Sequence, residues 1–213
     1  MKDKAIIVGA GTYGQVYSEY LNIEYDIVGF IDDDKNLIGK EVNGIKVLGN
    51  FKHLLEKIDK SIAVFIPIGN NEVRGRLLNQ MELSGFSTPS FIHSSVEIHP
   101  TVYLGKAVYV LPNSSIMPFS FIENHVMISM GVNIAHHTHI EEGVFLSQGV
   151  NVGASILLKK SAFIGIGATI MTGVKEIGAY SLIGAGSVII QDVPDYAVVV
   201  GNPGKVIKYS QVK

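Results

Sequence analysis

Three histidines lie close together in the segment 133–140, which reads NIAHHTHI. They are His136, His137 and His139, three of the seven histidines in the chain. Because an imidazole titrates near neutral pH, one of them can act as a general base that takes a proton from an attacking amine or hydroxyl. Histidines also bind zinc, and exposed ones can be structural without chemistry. The residues leave these three interpretations open, and His136 is the foremost candidate for a base.

A glycine-rich loop, Gly9-Ala10-Gly11-Thr12-Tyr13-Gly14, is the second group that could do chemistry. The apolar run 4–9 predicts a buried strand before it, and residues 15–21 predict a helix after it. Glycines let a phosphate approach the backbone, and a helix N-terminus offers free N–H groups and partial positive charge. The loop therefore predicts a nucleotide or diphosphate site; the alternative is a tight strand-to-helix turn without a ligand.

Acidic residues follow the next predicted strand, 25–31, as Asp32-Asp33-Asp34. Asp32 comes 18 residues after Gly14, where a carboxylate can read the sugar or base of a nucleotide. Only about 85 residues precede the repeat described next, too few for the two halves of a dinucleotide site, so NAD is not expected. The other predicted elements here are a strand or loop at 45–48, a helix at 51–58, a strand at 61–68 and a helix at 72–83.

The rest of the chain follows a six-residue period, which is the period of neither a helix nor an ordinary strand. The residue two places before each sixth position is mostly small or β-branched. The sixth positions themselves are all Ile, Leu or Val over fourteen repeats: Ile92, Ile98, Leu104, Val110, Ile116, Ile122, Ile128, Ile134, Ile140, Leu146, Val152, Leu158, Ile164 and Ile170.

Six residues suit a short flat strand followed by a corner, and three such sides close a triangular coil of about eighteen residues. The aliphatic residues would then fill the inside, and His136 would lie at a corner in line with Pro118 and Ala154. The period slips by one residue between Ile170 and Ile177 and then resumes. The sequence therefore predicts a parallel β-solenoid of about 5.4 coils.

Composition excludes several classes of function. The 17 Lys plus Arg against 19 Asp plus Glu give a net charge of −2, which provides no basic surface for nucleic acid or an anionic membrane. The absence of cysteine excludes disulfides and thiol chemistry. No apolar run approaches the roughly 18 residues of a membrane span, and the N-terminal run meets glycines too early for a signal peptide. We therefore expect a cytoplasmic protein.

Together these features resemble one family over essentially the whole chain. The resemblance rests on the glycine loop, the aspartates after the second strand, the segment 68–71 (IGNN) with Arg74, the six-residue repeat and the ending 200–207 (VGNPGKVI). The family is that of the hexapeptide-repeat sugar acyltransferases, which includes sialic acid O-acetyltransferases and nucleotide-linked 4-amino-sugar N-acetyltransferases. The resemblance implies a Rossmann-like α/β domain at residues 1–88 and a left-handed parallel β-helix with a C-terminal tail at residues 89–213.

The resemblance implies the reaction as well. Acetyl-CoA or a longer acyl-CoA would donate its acyl group to the amino group of a UDP-, dTDP- or GDP-linked 4-amino-4,6-dideoxyhexose, for a surface glycan. A homotrimer would complete the cleft, and no metal is expected. The alternatives are a sialic acid O-acetyltransferase, a metalloenzyme resembling γ-carbonic anhydrase, and a non-catalytic trimeric scaffold. Asp32 and Asp33 favour a nucleotide over a free sugar.

The resemblance also implies roles for individual residues. His136 would be the catalytic base, with His137 in place of the family's usual acidic residue and Phe145 in place of a second histidine. Glu141 or Glu142 could supply the missing carboxylate. The nucleotide sugar would contact Gly9, Gly11, Thr12, Tyr13, Asp32, Asp33 and Asn70. Acyl-CoA would contact Gly149, Gly153, Ala154, Ile166 and either Lys205 or Lys208, and a backbone N–H near Ala154 would stabilise the tetrahedral oxyanion.

Overall fold

The computed structural model describes residues 2–210 of the chain. Backbone contacts divide it into two compact units, with the division between Pro89 and Ser90. The described part of the first unit contains the strands β1 (Asp3–Val8), β2 (Tyr25–Ile31), β3 (Glu41–Val42), β4 (Ile45–Gly49) and β5 (Ala63–Phe65) and the helices α1 (Thr12–Leu21), α2 (Phe51–Lys57) and α3 (Asn71–Leu83).

The first unit is built on a five-stranded sheet in the order β3-β4-β2-β1-β5. Its strands are parallel except β3, which forms a hairpin with β4 through Asn43 and Gly44, both at positive φ (50° and 75°). The ambiguous segment 45–48 is therefore a strand. The predicted strand 61–68 is shorter than expected, because Pro67 has no N–H to donate and pairing ends at Phe65.

Parallel strands bring the ends of the first unit's strands to one edge of the sheet. Apolar residues on both faces of the sheet are fully buried, among them Ile6 and Val64 on one face and Ile7 and Phe65 on the other. Because β1, β2 and β5 are neighbours, the residues after their carboxyl ends meet at this edge. The glycine loop follows β1, Asp32 follows β2, and Asn70 comes shortly after β5.

The second unit is a parallel β-solenoid made of strands that are mostly two residues long. In chain order they are β6 (Phe91–Ile92), β7 (Glu97–Ile98), β8 (Tyr103–Leu104), β9 (Tyr109–Val110), β10 (Ser115–Ile116), β11 (Phe121–Ile122), β12 (Met127–Ile128), β13 (Asn133–Ile134), β14 (His139–Ile140), β15 (Phe145–Leu146), β16 (Asn151–Val152), β17 (Leu157–Leu158), β18 (Phe163–Ile164), β19 (Thr169–Ile170), β20 (Glu176–Ile177), β21 (Leu182–Ile183), β22 (Val188–Ile189), β23 (Ala197–Val200) and β24 (Lys205–Tyr209).

These strands form three faces. The first face runs from β6 through β9, β12, β15, β18 and β21 to β23 and β24; the second from β7 through β10, β13, β16 and β19 to β22; the third from β8 through β11, β14 and β17 to β20. Ile134 pairs with Ile116 and Val152, eighteen residues away on either side. The predicted three-sided coil of eighteen residues is confirmed.

The aliphatic positions of the repeat fill the inside of the solenoid. From Val110 to Ile170 each sixth residue is at most 3% exposed. The positions two before them are also buried, and where one is polar its hydroxyl bonds to a backbone carbonyl, as in the 3.0 Å contact from Thr138 Oγ1 to the carbonyl of Gly153. The solenoid is thus a continuous aliphatic core with backbone hydrogen bonds between coils.

The slip in the repeat is one additional residue at a corner. Leu158 pairs with Ile177, nineteen residues on, instead of eighteen. Gly173 takes a φ of 106°, and a short bridge joins Thr172 to Val174. The insertion therefore bulges out of the corner between the second and third faces without disturbing the buried stack.

No helix among the described residues is both long and apolar enough to cross a membrane.

Candidate active site

His136 and His137 lie on the corner between the second and third faces, and both are exposed. The corners of neighbouring coils hold this segment on both sides. The N–H of His137 donates to the carbonyl of Pro118 at 3.2 Å, and the carbonyl of His136 accepts from the N–H of Ser155 at 3.0 Å. The predicted alignment of His136 with Pro118 and Ala154 is thus what the coil register produces.

The two imidazoles touch each other. Nδ1 of His136 lies 3.0 Å from Nδ1 of His137, and the ring planes meet at 89°. His137 has a φ of 59°, in the left-handed region, and its ring lies 4.9 Å from the ring of Phe119 in the preceding coil. A backbone turn and a ring contact therefore hold His137 beside His136.

The third histidine has a different partner. His139 begins β14 on the third face, where its Nε2 lies 2.7 Å from Oε1 of Glu123. Its ring also meets the ring of Phe121 edge-on at 5.0 Å. The pairing with Glu123 was not predicted, although residues 16 apart lie close in an eighteen-residue coil. His139 is thus part of the third face and separate from the His136 corner.

The structure does not support a role for Glu141 or Glu142 as the carboxylate beside His136. Both lie on the corner between the third and first faces, so the width of the third face separates them from His136. Glu141 accepts from the backbone N–H of Lys160 at 2.7 Å. Glu142 lies 3.6 Å from Nδ1 of His125 and 3.4 Å from Nζ of Lys160. That suggestion was wrong, since a sequence distance of five residues here spans a whole face.

A groove of about 340 Å³ runs along the outside of the second face. Its floor includes the outward side chains of Ser115, Asn133 and Asn151, which form a hydrogen-bonded ladder with distances of 3.1 and 2.9 Å. Ala135 and Gly153 line it at the corner that carries His136. The groove therefore ends beside the candidate base, and its polar floor and apolar rim suit a ligand of mixed polarity.

The residues proposed to bind acyl-CoA occupy opposite edges of the second face. Gly153 and Ala154 lie on the corner shared with His136. Gly149 and Ile166 lie on the corner between the first and second faces, where Ile166 is 58% exposed. Lys205 begins β24, directly after Gly204, whose N–H donates to the carbonyl of Val188 at the end of the second face. Within one chain these residues do not form a single cluster.

The N–H of Ala154, proposed as an oxyanion donor, already has a partner. It donates to Oγ1 of Thr172 at 3.3 Å, eighteen residues further along the same corner. Thr172 also lines the groove. Sequence reasoning missed Thr172, although the eighteen-residue spacing from Ala154 could have identified it. The Ala154 N–H is thus available to a ligand only when the Thr172 hydroxyl turns away.

In the first unit, the glycine loop lets the start of helix α1 lie close to the end of strand β1. A Cβ on Gly14 would lie 1.8 Å from the carbonyl oxygen of Gly9, so only glycine lets α1 start so near β1. Gly9 has a φ of 97° and donates its N–H to the carbonyl of Ile31 at 2.7 Å. Gly11 caps α1 without a side-chain hydrogen bond, whereas Asn50 and Asn70 cap α2 and α3. Thr12 and Tyr13 form the first turn of this helix.

The polar residues predicted to read the nucleotide also hold the loop together. The carboxylate of Asp32 accepts from the N–H of Ala10 at 2.8 Å and from that of Asp34 at 2.9 Å. Asp33 accepts from the N–H of Phe51 at 3.0 Å, and Oδ1 of Asn70 accepts from the N–H of Val73 at 3.0 Å. These groups therefore lie at the sheet edge as predicted, with part of their hydrogen-bonding capacity used by the fold.

Two further residues of this region have defined positions. Tyr13 packs against Gly69, where an added Cβ would lie 3.6 Å from its ring. Arg74 is fully buried and donates to the carbonyl of Ile68 and to Oδ1 of Asn71, at 2.8 and 2.9 Å. The buried guanidinium thus ties α3 to the segment that leads into it. The glycine loop and the Gly69–Asn70 turn are neighbours in this unit.

Phe145, which stands where the resemblance implies a second histidine, begins β15 on the first face and is 3% exposed. Its ring lies 5.2 Å from that of Phe163. Across residues 2–210, no group of three or more histidine, aspartate or glutamate side chains is placed to hold a metal ion.

Comparison with known proteins identifies similar sequences and structures. A family model described as the PglD N-terminal domain matches residues 4–81. The acetyltransferase domain of PglB from Neisseria gonorrhoeae FA1090, also solved with acetyl coenzyme A, superposes with a TM-score of 0.90 and 26% identity over 97% of this chain and all of that one. A GDP-perosamine N-acetyl transferase from Caulobacter crescentus, solved with CoA and GDP-perosamine, gives a TM-score of 0.90 and 27% identity over 98% of both chains.

The predicted resemblance to the hexapeptide-repeat sugar acyltransferases is confirmed over nearly the whole chain. A galactoside O-acetyltransferase from Lactococcus lactis is also similar, with 28% identity over 70% of this chain and 72% of its own. The predicted fold class, a Rossmann-like domain followed by a left-handed parallel β-helix, is confirmed, and so is the prediction that the chain is an acyltransferase.

Proposed function

We propose that this acyltransferase acetylates the amino group of a nucleotide-linked 4-amino-4,6-dideoxyhexose, with acetyl-CoA as donor, for a surface glycan. The observation that carries the proposal is the similarity over 98% of the chain to an enzyme solved with CoA and GDP-perosamine. Both units of this chain take part in that similarity, so it extends to the glycine-loop unit as well as to the solenoid. An O-acetyltransferase of free sugars would leave the glycine loop and Asp32 without a ligand.

In the proposed reaction the amine attacks the thioester carbonyl directly, and the chain has no cysteine that could form an acyl-enzyme through a thiol. The C–N bond forms and the C–S bond breaks through a tetrahedral intermediate. His136 takes a proton from the amine and returns it to the departing CoA thiolate. General bases of this kind accelerate reactions by about 10²- to 10⁴-fold.

We assign the acyl-CoA to the groove on the second face. The groove ends at the His136 corner, which would place the thioester next to the base. The N–H of Ala154 lies on the same corner and would stabilise the oxyanion once released by Thr172. The remainder of the CoA would contact Gly149 and Ile166 on the other edge of the face and Lys205 on the C-terminal tail. In a homotrimer, the edge with Gly149 and Ile166 in one copy would lie beside the edge with His136 in the next copy.

The nucleotide is assigned to the edge of the sheet in the first unit. Gly9, Gly11, Thr12 and Tyr13 would face the diphosphate, since the uncapped start of α1 offers backbone N–H groups and partial positive charge. Asp33 and the remaining lone pairs of the Asp32 carboxylate would accept hydrogen bonds from the nucleotide base. Asn70 would lie beside them. The candidate substrates are UDP-, dTDP- and GDP-linked sugars.

The test is an acetyl-transfer assay with purified protein. Acetyl-CoA is combined with UDP-, dTDP- or GDP-linked 4-amino-4,6-dideoxyhexose, and the product is followed by mass spectrometry and free thiol release. We expect an increase of one acetyl group with one of the three nucleotides, and none with the matching 4-hydroxy sugar. Acetylation of free sialic acid without transfer to any amino sugar nucleotide would overturn the proposal.

Binding gives a second readout that does not depend on turnover. A ligand present at 100 times its Kd stabilises a folded protein by about 2.7 kcal/mol, which raises Tm by several degrees. We expect separate shifts with CoA and with one sugar nucleotide. A protein stabilised by CoA alone would contradict the assignment of the sugar nucleotide to the first unit.

A further inference from the structure

The contact between His136 and His137 restricts where their protons can be. A distance of 3.0 Å between the two Nδ1 atoms is that of a hydrogen bond. A neutral imidazole carries hydrogen on one ring nitrogen and a lone pair on the other. The contact is therefore favourable only when one Nδ1 carries hydrogen and the other does not. The histidine that donates through Nδ1 then has its lone pair on Nε2, where it can act as a base.

The two rings have different surroundings. His136 directly follows Ala135, which lines the groove. The ring of His137 is instead packed beside Phe119, and its backbone is held in the left-handed region at a corner where Phe119 and Ser155 have the same conformation (φ of 64° and 59°). His136 is thus the ring beside the groove, and His137 is the ring fixed by the corner.

We propose that His137 is a positioning residue, which accepts the Nδ1–H of His136 and thereby keeps the lone pair of His136 on Nε2. This inference rests on the proposed function, in which His136 is the general base. After Nε2 takes the amine proton, the His136 imidazolium still donates Nδ1–H to the neutral ring of His137. Transfer of the Nε2 proton to the CoA thiolate restores the neutral pair, so no further acid or base is needed.

The pair differs from a histidine–carboxylate pair, because either of its two rings can carry the shared hydrogen. A second proton would put hydrogen on both Nδ1 atoms, and the hydrogen bond would be lost. The stacked corner positions hold Pro118, Phe119, Ala154 and Ser155, none of which is ionisable. The neighbouring ionisable side chain along the segment, His139, is paired with Glu123 on the third face. The histidine pair therefore has no carboxylate among these neighbours.

Four substitutions distinguish a positioning role of His137 in catalysis from a purely structural one. His137→Gly removes the acceptor and tolerates the positive φ, so we expect kcat/KM to fall by about tenfold to a hundredfold while Kd for CoA is unchanged. His137→Asn offers an amide oxygen near the place of Nδ1 and suits the left-handed region, so it should restore kcat/KM to within about threefold. His137→Asp should move the acidic limb of the kcat/KM profile to higher pH, because a carboxylate stabilises the imidazolium of His136. Asn113→Gly, at an exposed corner position with a φ of 60°, is the matched control and should leave kcat/KM unchanged.

A spectroscopic readout tests the pair even if every assayed sugar is inactive. In ¹⁵N–¹H spectra of the imidazoles, recorded on wild type and on His136→Gln for assignment, we expect His136 in the Nδ1–H form and His137 in the Nε2–H form. His137→Gly should let His136 populate both tautomers. Absence of transfer by wild type would count against the proposed function, and this tautomer pattern would still support the pair. The reverse tautomers, or a His137→Gly enzyme with wild-type kcat/KM, would overturn the inference.

Discussion

At the scale of single residues, His136 is exposed beside a groove and has its Nδ1 occupied by a neighbour. That combination leaves Nε2 directed away from the pair, as a base requires. Asp32 shows the opposite situation, since both its carboxylate oxygens accept backbone N–H groups. One residue is therefore placed for chemistry, and the other first of all holds a binding loop in shape.

Replacing the base tests the first of these roles. His136→Ala should lower kcat/KM by about 10²- to 10⁴-fold and leave the Kd for CoA nearly unchanged, because the imidazole contributes to proton transfer more than to binding. The measurement is steady-state kinetics together with CoA titration calorimetry. His99→Ala is the control, since His99 contacts Thr101 two coils before His136 and is not one of the residues that line the groove. Near-wild-type kcat/KM in His136→Ala would contradict the assignment.

Replacing Asp32 tests the second role. Asp32→Ala removes the acceptor for the N–H groups of Ala10 and Asp34, and we expect the free energy of unfolding to fall by about 1.5–3 kcal/mol. Asp32→Asn retains one acceptor oxygen and should lose less. Urea unfolding followed by circular dichroism measures both. Asp26→Ala, at an exposed position of β2, should change stability by less than about 0.5 kcal/mol. An Asp32→Ala protein as stable as wild type would show that the loop does not need this carboxylate.

At the scale of elements, two local constraints position the candidate sites. The strand–loop–helix connection at Gly9 to Gly14 brings the N-terminus of α1 to the sheet edge, and the aliphatic stack holds each solenoid corner in register. The first depends on backbone contact, and the second depends on apolar burial.

The backbone contact is tested by two glycine substitutions. Gly14→Ala places a Cβ 1.8 Å from the Gly9 carbonyl oxygen, so we expect destabilisation of at least about 1–3 kcal/mol and loss of sugar nucleotide binding. Gly11→Ala meets nothing within 4 Å and has a φ of −70°, so it should change stability by less than about 1 kcal/mol. Thermal unfolding compares the two. Equal stability of both variants would contradict the close approach of α1 and β1.

The aliphatic stack is tested at β14. Ile140→Ala removes a fully buried side chain next to the histidine corner, and such substitutions cost about 2–5 kcal/mol. Ile190→Ala, at a position that is 52% exposed, should be nearly neutral. Denaturant unfolding gives the difference. A small loss in Ile140→Ala would mean that the core around this corner can collapse into the cavity.

At the scale of the whole molecule, one chain carries the proposed CoA residues on two edges of the second face. A site that needs both edges, one from each of two copies, is the physical reason to expect a homotrimer. Light scattering should then give a mass of about 69 kDa, three times the 23.0 kDa of the chain. A monomer that is fully active would contradict the shared site.

Mixed trimers test the sharing directly. His136→Ala disables one edge, and Ile166→Glu should impair acyl-CoA binding at the other by placing a charged carboxylate against the pantetheine arm of the CoA. If each site takes one edge from each of two copies, random co-assembly of the two variants restores about one site in four. Assays at acyl-CoA concentrations below KM would show this recovery. A mixture no more active than its parts would place both edges in the same copy.

Much of the architecture follows from the sequence alone. The inside of a three-sided coil accepts any aliphatic residue at the right period, so the row from Ile92 to Ile170 is sufficient to predict the solenoid and to place His136 at a corner. Gly14 predicts the close strand-to-helix turn for a similar reason, since one missing Cβ decides it. Such features depend on local residue type and spacing.

Which polar groups form hydrogen bonds with each other depends on the folded structure. Glu141 and Glu142 are near His136 in the sequence yet lie across a face from it, whereas Thr172 is distant in the sequence and bonds to Ala154. The contact of His136 with His137 depends on a left-handed corner, and the engagement of Asp32 depends on where Ala10 comes to lie. A periodic pattern specifies which residues face inward, but the contacts among outward residues depend on coil register and corner conformation, which only the folded chain sets.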